Sequence, residues 1–328
     1  MSSVVHVAIH ASQSPENVRH DLLTSLQTRR VAHKFHYDSV KQTQKWLALH
    51  QIYSPTRNDA DCQAIYEQGF AAATATAAPE VNVIGLGCGG GQKDTRLLQL
   101  LQAAGRKIRY TPCDVAVAMV LVARQTALAA LPADRIAPMV FDLATATDLP
   151  EVFQAGEPKR PTPARLFTFF GMIPNFEPGL ILPKLAELVR PLDQLLFSAN
   201  LAPGADYAAG VKTILPQYDN TPTREWLLTF LLDLGVERAD GELWFGIEEV
   251  AASALKRVAA HFHFTRPRRI EIETTAFDFV AGDVIRLFFS YRYTPARITA
   301  LLEQQGLKVQ AAWRTRSEEE GVFLCRKG

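Results

Sequence analysis

From about Ser14 to Ala78 the apolar positions follow a helical pattern, clearest in "PENVRHDLLTSLQ" and "NDADCQAIYEQGFAAATATAA". Between them "HKFHYDSVKQTQKWLALHQIYSPTR" is rich in aromatic and polar residues, with Pro55 as a break. At Val81 the character changes to short apolar runs separated by helical stretches. "VNVIGLG" predicts a buried strand, and "KDTRLLQLLQAAG" a helix closed by Gly105. "RKIRYTPCDV" is a second strand ending at Asp114, followed by the helix "AVAMVLVARQTALAAL". "RIAPMVFDL" is a third strand, ending at Asp142. "ARLFTFFGM" and "LDQLLFSANL" bracket the helix "EPGLILPKLAELVR". This alternation predicts an α/β fold with a parallel, doubly wound sheet.

The alternation stops at Pro203. Residues 203–287 read as helices ("TREWLLTFLLDLG", "GIEEVAASALKRV") and then β-like segments ("AAHFHFTRP", "RRIEIETTAFDFV"). Beyond Phe288 the sheet pattern returns, with "TPARITALLEQQG" a helix that Thr294 caps and Pro295 opens. "KVQAAWRTRS" and "GVFLCRKG" close the chain as an antiparallel hairpin. A Rossmann-like sheet that finishes in such a hairpin is the plan of class I methyltransferases. The expected division is a donor-binding core of residues 79–202 plus 288–328, and an α+β substrate domain of residues 1–78 plus 203–287.

Composition narrows the class. With 48% hydrophobic and 21% charged residues the chain reads as a soluble globular protein. A net charge of +1 gives no reason to expect nucleic acid, and "TRPRRIE" reads as a solvated strand end. Four scattered cysteines without a CxxC pair argue against a disulfide scaffold or a zinc site. No leader-like segment and no run near the roughly 18 apolar residues of a membrane span is visible, so the expectation is cytoplasmic and off the membrane; the sequence leaves the oligomeric state open, with a monomer favoured. His261 and His263 share a strand face without a third ligand nearby, so they read as exposed strand histidines and no metal is expected.

The chemistry lies in "VNVIGLGCGGGQKDTRLLQLL", where Gly85, Gly87 and Gly90 have dinucleotide spacing and Gly89 and Gly91 share the turn. A nicotinamide-dependent oxidoreductase would set a pyrophosphate on the helix N-terminus. A methyltransferase would pass the loop under the methionine part of S-adenosylmethionine, with the next strand-end acid on the ribose hydroxyls. Asp114 fits that acid, Asp142 is placed to meet the adenine amino group, and Lys93 and Thr95 are polar groups near the methionine end. The terminal hairpin and Asp142 favour the methyl donor. A donor-binding protein without catalysis is the remaining alternative.

Four further stretches carry a resemblance. "HYDSV" with "YSPTR", "GLGCGGGQKDTRLL", "FFGMIPNFEP" and "FFSYRYTP" are similar, in this order, to "FYD…YYPTR", "ELGSGxSxKTRLLL", "FLGSTIGNFEP" and "ExSxKYTP" of the histidine-specific Nα-methyltransferases of ergothioneine biosynthesis. The resemblance implies methyl transfer from S-adenosylmethionine to the α-amino nitrogen of a small-molecule amino acid. It implies that Asn175 and Tyr37, as catalytic positioning groups, and Tyr218 contact the substrate's ammonium and carboxylate, and that Tyr53 lines the pocket. Asn175 could instead cap the helix beginning at Glu177, and the tyrosines could be packed aromatics.

Two departures matter. The family's acid at the start of the loop is Gly85 here, which changes how the donor's amino group is held. The family's imidazole-binding glutamate becomes Phe288, with Ser290 retained, and a methionine of the pocket falls on Ala260. A larger and more apolar pocket follows, suited to an amino acid other than histidine. A shifted register would instead bring in Asp283 or Glu273 and leave histidine as the substrate.

Overall fold

The computed structural model describes residues 4–53, 58–155, 163–251 and 253–328. Five strands form the parallel centre: β2 (Glu80–Leu86), β3 (Lys107–Asp114), β4 (Met139–Val140), β5 (Ala164–Phe169) and β6 (Gln194–Asn200). A two-residue β1 (Ala8–Ile9) adds to β4 at one edge. The other edge is the hairpin of β12 (Leu307–Arg314) and β13 (Glu320–Lys327), with β13 antiparallel to β6. The spatial order β1-β4-β3-β2-β5-β6-β13-β12 gives the doubly wound sheet and terminal hairpin expected from the pattern.

Strand order reverses between β2 and β5, and at such a switch point the loops leaving the strands diverge and open a crevice. Helices Ala60–Ala75 and Gln92–Ala103 cover one face through Ile65, Phe70, Leu97 and Leu98. Helix Pro178–Leu188 covers the other through Ile181, Leu182 and Leu185, against Phe167 and Phe197.

A second, antiparallel sheet packs beside the first, with β8 (Leu255–Phe264) between β7 (Gly241–Val250) and β11 (Val284–Arg292). A hairpin of β9 (Arg268–Ile272) and β10 (Thr275–Phe279) lies next to it. Its apolar residues, with Trp226 and Phe230 of helix Thr221–Asp233 and Leu26 and Phe35 from the N-terminal part, form a third cluster. The expected seam at 288 falls inside β11, which pairs with β8, while the N-terminal β1 and helix Ala60–Ala75 lie on the large sheet.

Two element readings need correction. "GIEEVAASALKRV" is not a helix; it is the end of β7, a turn and the start of β8. Its apolar spacing fits both periods, and pairing along both neighbours of β8 overrides helix propensity. The third strand of the alternation shrinks to Met139–Val140, because Pro138 lacks the N–H a longer ladder would need.

Candidate active site

β2 runs into a turn in which Gly87, Gly89 and Gly91 all have positive φ, 62°, 53° and 76°. Two of them are also sterically fixed. A Cβ on Gly91 would lie 2.8 Å from the Ala123 backbone, and one on Gly87 would lie 2.7 Å from Met172 Cγ. The loop is thus wedged between helix Val117–Ala127 and the segment after β5. Trp46, on helix Val40–Tyr53, comes within 3.1 Å of the Cβ position of Gly89 and roofs the turn.

The cavity at these strand ends brings together Gly87, Gly89, Lys93, Asp114, Asn175 and Tyr37. Its walls are otherwise largely apolar, with Val115, Met119, Phe141 and Leu143 grouped beyond Asp114. The Asp114 carboxylate accepts hydrogen bonds from the backbone N–H groups of Gly89 (3.4 Å) and Ala116 (3.2 Å). Among the described residues it has no ion-pair partner, so it keeps acceptor capacity toward the cavity. Burial pushes its carboxyl up to about 6, against the pull of the backbone N–H groups.

Asn175 ends a short 3-10 turn, Ile173–Asn175, which packs against β11. The N-cap of the following helix is Glu177, and no side chain caps it, so Asn175 is not a capping residue. Its amide has no hydrogen-bond partner among the described residues, and neither does the Tyr37 hydroxyl. Burial and the Asp114 charge hold that phenol well above its usual range, so it stays protonated.

Several expected residues stand elsewhere. The Asp142 carboxylate is turned from the cavity: it accepts from Ala144 N–H (2.8 Å) and pairs with the buried Lys34 (3.2 Å), which also pairs with Asp21. Its neighbours Phe141 and Leu143 line the cavity instead. Thr95 is buried in its helix with no partner for its hydroxyl, and Gly85 lies beneath the loop. Tyr53 is 50% exposed at the end of helix Val40–Tyr53, and the rest of "YSPTR" lies outside the described residues. Lys93 reaches the cavity but donates to Tyr66 Oη at 2.8 Å, and burial lowers its pKa.

Tyr218, Ser290, Phe288 and Ala260 form a second group. The Tyr218 hydroxyl donates to Ser290 Oγ (2.8 Å) and accepts from Arg292 Nη2 (2.7 Å). Phe288, only 6% exposed, packs on Tyr218 and Trp226 at ring distances of 6.0 and 5.9 Å and pairs across the sheet with Ala260. Trp226 in turn meets Tyr37 at 5.5 Å, linking this group to the cavity. A bulge between Arg286 and Phe288 sets the direction of Phe288, and buried His36, held neutral with its pKa lowered to about 4, donates through Nε2 to the Leu287 carbonyl there. Of the acids a shifted register would bring in, Asp283 pairs with Arg29 and Glu273 with Arg19. His261 pairs with Glu248 and His263 packs on Trp244.

Sequence reasoning missed Asp94. A Cβ on Gly85 would lie 2.2 Å from Asp94 Oδ2, so this carboxylate fills the room of a side chain at position 85. Asp94 is buried at the cavity wall and accepts from the hydroxyls of Tyr110 (2.6 Å) and Thr168 (2.7 Å); burial raises its pKa. The one sequence signal was a glycine inside an otherwise apolar strand.

These residues fit S-adenosylmethionine. A strand-end carboxylate with free acceptor capacity suits a ribose diol, the apolar group beyond it suits a purine, and the glycine turn leaves backbone N–H groups near both. Fold and cavity define the class, an S-adenosylmethionine-dependent methyltransferase of class I. The chain belongs to the family described as histidine-specific methyltransferase, SAM-dependent, which it matches over residues 18–327. It is similar to the N-methyltransferase imqF of Aspergillus flavus, 25% identical over 250 residues covering 74% of this chain and 65% of the relative. This chain therefore spans somewhat less than two thirds of that relative's length. Among solved structures it is similar to magnesium protoporphyrin IX methyltransferase (ChlM) of Synechocystis PCC 6803, with bound SAH, at 14% identity and TM-score 0.48, covering 89% of this chain and 97% of that one. The CcbJ methyltransferase of Streptomyces caelestis aligns at 16% identity and TM-score 0.41, over 80% and 96%. Among the described residues no helix is long and apolar enough to cross a membrane.

The raised Asp114 carboxyl predicts a pH dependence. A diol donates to the ionised carboxylate, so binding draws on the form that dominates above about pH 6 and is lost as pH falls through that value. The Kd of S-adenosylhomocysteine should rise toward about tenfold per pH unit below pH 6 and flatten in Asp114→Asn. Calorimetry between pH 5 and 8 that finds constant affinity in the parent protein would remove Asp114 from the diol.

Proposed function

We propose that the protein methylates the α-amino nitrogen of a free amino acid other than histidine, one with a larger or more apolar side chain. When bound, S-adenosylmethionine supplies a methyl group activated on a sulfonium. On this reading Asp114 holds the ribose, Asp94 takes the role of the acid absent at position 85 and faces the donor's ammonium, and Phe141 and Leu143 flank the adenine. Asn175 accepts from the substrate amine through its side-chain carbonyl, and the Tyr37 hydroxyl donates to the substrate's backbone carboxylate. Together they aim the nitrogen lone pair, and positioning of this kind supplies most of the rate in a simple displacement.

The observation that carries the reading is the pairing of two unpartnered polar groups, Asn175 and Tyr37, on the cavity wall with an apolar group behind them. Phe288 stands at the position of the imidazole-binding acid, and neither Asp283 nor Glu273 reaches it. The test is methyl transfer from labelled S-adenosylmethionine across the free amino acids, with products read by mass. The expected product is an N-methylated large apolar amino acid. Products from N-acetylated amino acids as abundant as those from the free ones would sink the reading.

A further inference from the structure

Tyr66, on helix Ala60–Ala75, is buried, and its hydroxyl meets polar partners from three other elements. They are Lys93 Nζ on helix Gln92–Ala103 at 2.8 Å, Ser198 Oγ on β6 at 2.8 Å and the Glu320 carboxylate at the start of β13. A phenol has one hydrogen to give and two lone pairs with which to accept. Burial and the Glu320 charge keep this phenol protonated. The carboxylate can only accept and takes the hydrogen, so Lys93 and Ser198 both donate to the Tyr66 oxygen.

The assembly ties the cavity wall to the closing hairpin. The other Glu320 oxygen accepts from the Cys62 thiol at 3.5 Å, which fixes the carboxylate from behind. Ser198 Oγ accepts from the backbone N–H of Gly171 at 2.8 Å. Lys93 Nζ also lies 4.2 Å from the centre of the Tyr66 ring, a cation–π distance. Lys93 and Gly171 both line the cavity. An ammonium carries three hydrogens, and among the described residues only Tyr66 accepts from that of Lys93. A cation so sparsely partnered on a largely apolar wall suits an anionic group of a ligand.

We propose that Tyr66 is a positioning residue for the methyl donor: clamped by Glu320 and Ser198, it holds the Lys93 ammonium ready for the carboxylate of the donor's methionine arm. The inference rests on the donor placement proposed above, in which Asp114 holds the ribose and Asp94 faces the donor's ammonium. Lys93 and Asp94 are neighbours at the start of helix Gln92–Ala103, so both charges of an amino-acid end find an opposite partner there. A lysine already tied to Tyr66 has lost its rotamer freedom on folding and need not lose it again on binding.

The test uses two ligands that differ by a carboxylate, S-adenosylhomocysteine and its decarboxylated analogue S-adenosyl-3-thiopropylamine, with Kd read by calorimetry. The parent should prefer S-adenosylhomocysteine by about 10- to 100-fold, as for hydrogen bonding to a charged group. Tyr66→Phe keeps the ring and its contacts with Phe70 and Phe170. It should cut that preference to about a third or less, with the analogue's Kd within about twofold of the parent's. Equal weakening of both ligands would mean a packing role, and an unchanged preference would mean no role; either overturns the proposal. If Tyr66→Phe does not fold, Glu320→Gln carries the same expectation, since it keeps an acceptor for the hydroxyl and removes the charge that anchors it. A parent-like preference in that variant, or no preference in the parent, overturns the proposal as well. Failure of the donor placement itself is told apart by Asp114→Asn, which would then leave the affinity of both ligands unchanged.

Discussion

Asn175→Ala should lower turnover of every accepted amino acid by about 10²-fold or more while leaving S-adenosylhomocysteine affinity within a factor of about two, since the amide serves no donor contact in this reading. The amide caps no helix and makes no hydrogen bond among the described residues, so its removal breaks no such bond there. It shares the cavity with Asp114 and Tyr37 and is carried on a turn packed against β11. An amine held by one fewer group samples orientations in which its lone pair misses the transferring carbon. Such a loss appears in kcat across all substrates alike, because the ammonium and carboxylate are common to them. A variant that loses one amino acid and keeps another would make Asn175 a reader of side chains instead.

How far the sequence reveals this site depends on whether a residue acts at its own position or through a distant one. Asp114 was legible: a strand-end acid after a glycine turn stands where a doubly wound sheet opens, and the structure puts it on the cavity wall. Asn175 and Tyr37 were legible through short motifs. Asp142 ends its strand as expected, yet its carboxylate is taken by Lys34, and nothing local in either segment announces that pair. Asp94 fills the space above Gly85 because helix Gln92–Ala103 folds back over β2, a long-range closure that pattern cannot supply. The parallel strands are legible from short, mainly apolar segments alternating with helical stretches, except where Pro138 cuts one short. The β7–β8 hairpin was misread because "EEVAASALKRV" carries apolar residues at both periods and only its sheet neighbours decide between them.

Histidine should be a poor substrate for the unmodified protein, by about 10²-fold in kcat/KM against the best large aromatic amino acid. The family's acid would meet an imidazole with a charge-assisted hydrogen bond. On the proposed reading Phe288 takes that place, packed on Trp226 and Tyr218 and opposite Ala260. An imidazole beside Phe288 gives up water at a ring nitrogen without a new partner, a cost of about 1–3 kcal/mol. A smaller ring also forgoes burial worth roughly 25 cal/mol for each Å² an indole would cover. These two losses together come to about 2–4 kcal/mol for an area difference of some tens of Å², a range that contains the 10²-fold expected. Phe288→Glu with Ala260→Met should restore a partner and shrink the room, moving preference toward histidine, whereas either change alone should do less. A buried carboxylate beside His33 and Tyr218 costs stability, so melting curves must accompany the kinetics. Relative kcat/KM for histidine and tryptophan in one competitive assay is the decisive measurement, because it is insensitive to the fraction of folded enzyme. Efficient histidine methylation by the unmodified protein would mean that Phe288 is not the residue facing the side chain.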